Sequence, residues 1–277
     1  MLFKGKLKGT LKVIRELNRG AEGIVYLCED VAGEKFAAKR YFNDQLPLMN
    51  REVYFHKTIM SHERFLHPVD IGSIDDNESD THNSLIFPYI AGGDGFNFIE
   101  YFARSGHYDT KKAQEFLLEH CMEFWKTLHI CHERNVCHWD VKPINILIDN
   151  YEVSAKKKKH NMFLIDFGLS SSAQYIYKTA PSRTYSAPEV LASERRRPIT
   201  YRCDVWSAGV SWLTLALGHE GTITYGYGDK LRKEGYKFLE TNIYSKDKLI
   251  PGMKKILEAS LSPDPRHRAC ADEIYTI

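Results

Sequence analysis

The 277-residue sequence lacks any long apolar segment. Its longest apolar run, 210–217, is far shorter than the roughly 20 residues that a membrane-spanning helix needs. Residues 1–6 read MLFKGK, with no apolar core of the kind found in signal peptides, and neither end carries a lipidation motif. We therefore expect no membrane partner.

An excess of one charge is also missing, because 38 Lys and Arg face 36 Asp and Glu, giving a net charge of +2. This balance predicts neither a nucleic-acid partner nor a strongly acidic protein partner. The length allows one large domain or two lobes around a cleft.

Paired cysteines are absent too. The six cysteines form neither a CxxC pair nor a zinc-ligand pattern, and we interpret Cys131 and Cys137 as buried thiols. A reducing compartment, the cytoplasm or the nucleus, is therefore expected.

The distribution of apolar residues changes near Gly92-Gly93. Before that point, short alternating or β-branched segments predict five strands and one helix, at 11–17, 23–28, 35–41, 69–74, 84–89 and 50–60 respectively. After it, amphipathic segments predict helices at 111–134, 205–217 and 252–260.

Two polar segments read as loops. Residues 75–80 are acidic and predict a solvated hairpin tip. The four lysines at 156–159 favour a solvated loop, with a nuclear-import or anion-binding patch as the alternative.

The most informative motif is CHWDVKPIN at 137–145, followed by Asp166-Phe167-Gly168. Two carboxylates and a carboxamide can converge there on one metal–phosphate site. Asp140 can receive a hydroxyl proton, while Asp166 and Asn145 can hold magnesium. Phosphoryl transfer requires this inventory, because its catalysis is mostly positioning and charge neutralisation. Each motif adjoins a short apolar strand.

These motifs resemble the catalytic loop and metal-binding motif of the eukaryotic-type protein kinase family, Ser/Thr class. The resemblance implies an α+β, bilobal, protein-kinase-like fold. Residues 1–90 would form a small β-rich N-lobe with one helix, and 91–277 a larger, mostly helical C-lobe. ATP would bind in the cleft between them, with 89–93 as the hinge and Mg²⁺ or Mn²⁺ as the metal.

The resemblance extends to the nucleotide site. The segment LNRGAEGIV at 17–25 resembles the glycine-rich loop that covers ATP phosphates. Asn18 replaces the first family glycine, and we expect Asn to tolerate the positive φ of that position. The adenine and ribose contacts implied by the resemblance, together with the loop residues, are Asn18, Gly20, Gly23, Val25, Ala37, Phe87, Ile90, Asp94 and Leu147.

The catalytic assignments follow from the same resemblance. Lys39 would contact the α and β phosphates, paired with Glu52 or, as the alternative, Glu63. Asp140 would be the catalytic base, and Lys142 would neutralise charge on the γ-phosphate. Lys142 also favours Ser/Thr acceptors over tyrosine.

Two further positions concern the activation segment. Trp139 stands where most regulated family members have an arginine that pairs with a phosphorylated loop, so we expect activity without activation-loop phosphorylation. Ser182 replaces the threonine that bonds to the catalytic aspartate and lysine.

The resemblance also implies structural roles for three residues. Glu189 and Arg268 would form a buried ion pair, and Asp204 would accept hydrogen bonds from the catalytic-loop backbone.

The resemblance covers about residues 11 to 272 and implies protein substrates with Ser or Thr acceptors and an unidentified regulatory protein. A small-molecule phosphotransferase of related fold is the first alternative, but such enzymes lack the Ala187-Pro188-Glu189 and Asp204-x-Trp206 elements. A pseudokinase scaffold is the second, although such proteins usually lose Lys39, Asp140 or Asp166. The departures from the family pattern at Asn18, Trp139 and Pro88 are similar to those of small viral kinases such as those of baculoviruses.

Overall fold

The computed structural model describes residues 2–59, 62–74, 83–105, 111–149, 162–172, 182–192, 199–218, 227–241 and 249–277. The acidic segment 75–80 and the lysine run 156–159 lie outside these ranges, so both remain sequence predictions. The chain divides into two compact units. Unit 1 comprises Met1–Ala91 and Asp166–Leu169, and unit 2 comprises Gly92–Ile165 and Ser170–Ile277.

Unit 1 contains a closed six-stranded barrel with strand order β1-β2-β3-β4-β6-β5. The strands are β1 Leu2–Gly5, β2 Thr10–Arg19, β3 Gly23–Glu29, β4 Lys35–Tyr41, β5 Asp70–Ile74 and β6 Ser84–Pro88. The sequence predicted all of these except β1. Strand β1 closes the barrel by pairing with both β2 and β5, with Phe3 opposite Leu11 and Ile74.

Alternation along β4 separates its two faces. Phe36 and Ala38 are buried in the barrel core together with Phe3, Leu11 and Ile86. Lys39 and Tyr41 share the opposite face, since successive side chains of a strand point to opposite sides. This register, with Val25 opposite Lys39, determines the side on which the lysine lies.

The helix of unit 1, α1 Leu46–Ile59, starts earlier than predicted, directly after a 3-10 turn at Asn43–Gln45. Met49, Glu52, Phe55 and His56 are all buried. Their spacing of three and four residues puts them on one helix face. A carboxylate therefore lies on the buried stripe of this helix.

Unit 2 is mostly helical, which confirms the predicted α+β class. Its described helices are α2 Gly95–Ser105, α3 Lys111–Glu133, α4 Pro188–Leu191, α5 Arg202–Leu217, α6 Tyr227–Glu234, α7 Tyr236–Thr241, α8 Pro251–Ser260 and α9 Ala271–Tyr275. Strands β7 Ile146–Ile148 and β8 Met162–Leu164 pair antiparallel. No helix in the described part of the chain is long and apolar enough to cross a membrane.

Helix α5 is the buried centre of unit 2, with every residue from Cys203 to Leu217 buried. It packs closely on α8, because a Cβ at Gly209 would lie 2.3 Å from Ser260 Oγ. Gly218, with φ 70°, ends the helix in the left-handed conformation. The first turn of this fixed element carries Asp204.

Candidate active site

In unit 1, Lys39 is the centre of a cluster of carboxylates. Its Nζ lies 2.6 Å from Asp166 Oδ1, 3.1 Å from Glu52 Oε2 and 3.3 Å from Glu22 Oε2. The lysine is therefore paired with Glu52, the predicted partner on α1, whereas Glu63 lies beyond the end of that helix. Asp166 joins the same ammonium, and the backbone there has φ 67°.

The charges of this cluster shift one another. Burial alone would lower the pKa of Lys39, but Asp166 and Glu52 outweigh it and raise that pKa well above its usual value. Burial would raise the pKa of Glu52, yet the Lys39 ammonium, with His56 and Tyr41, holds it below its usual range. For Glu22, burial and the charge of Asp166 outweigh Lys39, so the pKa of this carboxyl is raised.

Aromatic and imidazole rings surround this cluster. The Tyr41 hydroxyl donates to Glu52 Oε2, and Lys39 Nζ lies 4.7 Å from the centroid of the Tyr41 ring. The buried His56 ring, one turn after Glu52, lies 5.4 Å from the Phe167 ring. Phe167 is therefore held in unit 1 beside the helix that supplies Glu52.

The glycine-rich segment departs from the expectation at Asn18. Asn18 was expected to occupy a positive-φ position, but it lies within β2, opposite Val25, and is not among the positive-φ residues. The strand needs no glycine there. At Gly23, a Cβ would lie 1.9 Å from Arg40 O, so close strand pairing already requires glycine. At Gly20, no heavy atom of the described residues, apart from its chain neighbours, lies within 4 Å of the corresponding Cβ position.

In unit 2, the predicted catalytic residues are in mutual contact. Asp140 Oδ2 lies 2.6 Å from Lys142 Nζ, and its Oδ1 accepts a hydrogen bond of 3.1 Å from Ser182 Oγ. Lys142 Nζ also donates to Ser182 Oγ at 3.4 Å. Asn145 Nδ2 donates to the carbonyl oxygen and, more weakly, to the carboxylate of Asp140, at 2.8 and 3.3 Å.

Helix α5 supports the catalytic loop through Asp204. Its carboxylate accepts backbone N–H groups from His138 at 2.7 Å and Trp139 at 2.9 Å. Burial would raise the pKa of Asp204, but hydrogen bonding to His132 and the other nearby donors hold it below its usual value. Trp139 has φ 70°, so two backbone N–H groups that donate to one buried carboxylate fix a turn that residues other than glycine seldom adopt.

The buried ion pair predicted from sequence is present in unit 2. Arg268 is fully buried and donates to Glu189 Oε1 at 2.7 Å and Oε2 at 3.0 Å. It also donates to the carbonyl oxygens of Ser262 and Arg202. The guanidinium thus joins three separate chain segments.

The residues predicted to contact the nucleotide base and ribose fall in both units. In unit 1, Ala37 and Phe87 are opposite each other on β4 and β6. In unit 2, Asp94 bridges to Leu147, and Asp94 Oδ1 accepts the N–H groups of Phe96 and Asn97 at the start of α2. Asp94 therefore has a helix-capping role, and its ribose contact stays a prediction, as does the contact of Ile90.

The two predicted metal ligands carry donor atoms of the kind that the predicted ion binds. Asp166 and Asn145 offer carboxylate and amide oxygens, which are the donors that Mg²⁺ prefers. The two hydrogen bonds from Asn145 to Asp140 are donated by the amide nitrogen of Asn145. The amide oxygen, which is the atom that would bind the metal, is not used in them.

Sequence reasoning missed three residues that belong to these clusters. Glu22 lies inside the glycine-rich motif, where its charge was the available signal. Tyr41 lies two positions after Lys39, and strand alternation put it on the same face. Arg232, on α6, contacts residues 46 to 49 positions away, so no local pattern could have identified it.

Comparison with known proteins gives one family and several relatives. Residues 11–276 match the protein kinase domain family. Calcium-dependent protein kinase 14 of Arabidopsis thaliana is 29% identical over 97% of this chain and 49% of its own length. Calcium-dependent protein kinase 7 of the same plant is 30% identical, over 94% and 46% respectively.

A third relative from Arabidopsis thaliana, CBL-interacting serine/threonine-protein kinase 15, is 26% identical over 69% of this chain and 41% of its own length. The chain thus spans about half the length of the curated relatives it matches.

Proposed function

Because this chain belongs to the protein kinase domain family, we propose that it transfers the γ-phosphate of ATP to serine and threonine hydroxyls of protein substrates. The observation that carries the proposal is the contact of Asp140 with Lys142 and Ser182. A hydroxyl group already lies within hydrogen-bond reach of the carboxylate that would receive the acceptor's proton.

The reaction requires a base and a cation, and unit 2 offers both on one short loop. The acceptor oxygen forms a bond to the γ-phosphorus while the bond from that phosphorus to the ADP oxygen breaks. Asp140 orients the hydroxyl and takes its proton, and Lys142 stabilises the charge on the transferring group.

Lys39 would bind the α and β phosphates in unit 1, since its pKa is raised and the ammonium stays charged. Glu52 fixes the lysine from the buried face of α1. Bound Mg²⁺ or Mn²⁺, held by Asp166 and Asn145, would neutralise phosphate charge.

The Ser/Thr preference rests on the position of Ser182 and Lys142. They surround Asp140 closely, and an aliphatic hydroxyl sits nearer the backbone than a phenol does. The similarity to CBL-interacting serine/threonine-protein kinase 15 supports the same preference. The alternative of a pseudokinase scaffold is less well supported, because Lys39 and Asp166 are both present and in contact.

We extend the proposal to location and partners. All six cysteines are free thiols, and five are buried, which suits a reducing compartment such as the cytoplasm or nucleus. Proteins with exposed serine or threonine acceptors are the proposed partners, together with an unidentified regulator.

A degenerate peptide array incubated with labelled ATP and Mg²⁺ tests activity and specificity together. We expect label on serine and threonine peptides and none with the Asp140→Asn variant, which keeps the size of the side chain but removes the base. Mainly phosphotyrosine in phosphoamino-acid analysis would contradict the acceptor assignment. ATP binding without transfer to any peptide would favour the scaffold.

A further inference from the structure

The segment 182–186 is held from outside by one arginine of α6. Arg232 Nε donates to Ser186 O at 3.3 Å, and its Nη2 donates to the carbonyl oxygens of Arg183 and Thr184, the latter at 3.4 Å. Nη1 forms an ion pair with Asp229 at 2.9 Å. One guanidinium therefore binds three carbonyls of a five-residue segment.

The same segment reaches the catalytic base. Ser182 O accepts N–H groups from Tyr185 and Ser186 and the Ser186 hydroxyl, the last at 2.7 Å. Ser182 Oγ in turn donates to Asp140. Hydrogen bonds thus connect Arg232 to the carboxylate proposed to orient the acceptor.

Arginine suits this position for a geometric reason. Its guanidinium is planar, always charged and carries five donors in a fixed fork, whereas lysine carries a compact ammonium on a flexible stem. The Arg232 side chain is 15% exposed, so its hydrogen bonds compete little with water. Leu231, buried beside it, anchors α6 in unit 2.

The catalytic loop lacks the cation that would hold the activation segment through a phosphate group. Trp139 occupies that position, and an indole has one N–H donor and no charge. A different cation, bound to backbone carbonyls, needs no phosphorylation event, because carbonyls are permanent acceptors.

We propose that Arg232 is a positioning residue for the acceptor-binding segment. It holds residues 183–186, and through them Ser182 and Asp140, in the arrangement that transfer needs without a phosphorylated loop. This inference rests on the proposed function and names a residue outside the motifs that carry it.

The test compares steady-state kinetics of the whole chain with a serine peptide and ATP. In Arg232→Met, we expect kcat/KM for the peptide to fall about tenfold or more, while KM for ATP changes less than about twofold. Arg232→Lys should recover only part of the loss, because it restores the charge without the fork. Arg266→Gln removes an exposed guanidinium paired with Asp264 and is the matched control, with kinetics like the wild type.

A second variant guards against a folding defect in Arg232→Met. Asp229 is 91% exposed, so Asp229→Asn leaves the core intact while weakening the anchor of Arg232, and a smaller loss of the same kind is expected. Phosphatase-treated wild type should keep most of its rate. Unchanged peptide kinetics in Arg232→Met, an equal loss of ATP binding, or a tenfold loss on dephosphorylation would overturn the inference.

The same experiment distinguishes a failure of this inference from a failure of the proposed function. Wild type that binds ATP–Mg²⁺ but transfers no phosphate contradicts the proposed function, and the role of Arg232 falls with it. An active wild type whose Arg232→Met variant is equally active contradicts the role of Arg232 alone.

Discussion

The two units hold their functional charges by different means. In unit 1, the Lys39 ammonium is paired with the side-chain carboxylates of Glu22, Glu52 and Asp166. In unit 2, backbone groups supply much of the support: Asp204 accepts two backbone N–H groups, and Arg268 donates to two carbonyls.

The difference bears on where ligands act. Backbone partners are fixed by the fold, so the catalytic loop of unit 2 is assembled before any substrate binds. Side-chain carboxylates can move and exchange, so the Lys39 cluster is where a phosphate group would compete for a partner. We therefore expect substitutions in the Lys39 cluster of unit 1 to change nucleotide binding and turnover, and substitutions at Asp204 and the Arg268 ion pair of unit 2 to change stability.

The largest effect is expected for Asp166→Asn. The variant removes the carboxylate proposed to bind Mg²⁺ and the negative charge that lies 2.6 Å from Lys39 Nζ, so phosphate charge would be left uncompensated. Peptide phosphorylation should fall at least about 10³-fold, which corresponds to about 4 kcal/mol of transition-state stabilisation. Circular dichroism should show an unchanged fold, and removal of Mg²⁺ by EDTA should reproduce the loss in the wild type. Rates like the wild type would contradict the kinase assignment.

The next largest effect concerns the free energy of unfolding and the buried ion pair of unit 2. Glu189→Gln leaves the fully buried Arg268 without its ionic partner, and breaking a buried pair from one side costs about 3–5 kcal/mol. Urea denaturation should show this loss of unfolding free energy. Arg266→Gln breaks an exposed pair instead and should cost less than about 1 kcal/mol. Equal losses of unfolding free energy in the two variants would contradict the interpretation that the buried Arg268–Glu189 pair stabilises the fold.

Much of the fold was predictable because local patterns carry it. Alternation gave five of the six barrel strands, and amphipathic periodicity gave α3, α5 and α8. Strand β1 was missed because its four residues, LFKG, show too little alternation, and its partners on β2 and β5 define it. Helix α1 was placed too late, because the 3-10 turn before it leaves no capping pattern to mark its start.

The site was predictable where residues lie in motifs that resemble those of a known family, as for Asp140, Asn145 and Ser182. It was not predictable where contacts are distant in sequence. Arg232 binds the acceptor segment by a helix face that no spacing reveals, and the role of Gly23 in strand pairing emerged only from its contact with Arg40. Glu22 was visible as a charge, but its partner was not.

A smaller effect is expected in the response to acid. Hydrogen bonds to His132 and the catalytic-loop backbone hold the pKa of buried Asp204 below its ordinary value. Its contribution to stability is therefore present above the unfolded pKa, about 3.9, and is lost as pH falls through the lower folded pKa. In Asp204→Asn this dependence should vanish, so unfolding free energies measured below about pH 4 should fall less steeply than in the wild type. An equal slope in both proteins would contradict this assignment.

The smallest expected effect concerns Glu22 and tests the exchange of partners in unit 1 directly. Its carboxylate lies 3.3 Å from Lys39 Nζ, beside the ammonium proposed to bind the α and β phosphates. Because a triphosphate repels this carboxylate and competes for the same cation, nucleotide binding must separate the pair. Glu22→Gln keeps the side-chain size and removes the charge.

We therefore expect Glu22→Gln to lower KM for ATP by about two- to fivefold, equivalent to about 0.4–1 kcal/mol, with KM for the peptide unchanged. The matched control is Glu34→Gln, because Glu34 is an exposed residue paired with Lys8 and lies outside the Lys39 cluster. Direct titration with ATP–Mg²⁺ checks the kinetic value independently of transfer. A higher KM in Glu22→Gln would mean that Glu22 assists nucleotide binding. The Lys39 cluster would then be a fixed part of the nucleotide site, as the catalytic loop of unit 2 is fixed. The contrast between the two units would not hold for Glu22, the most exposed carboxylate of the cluster.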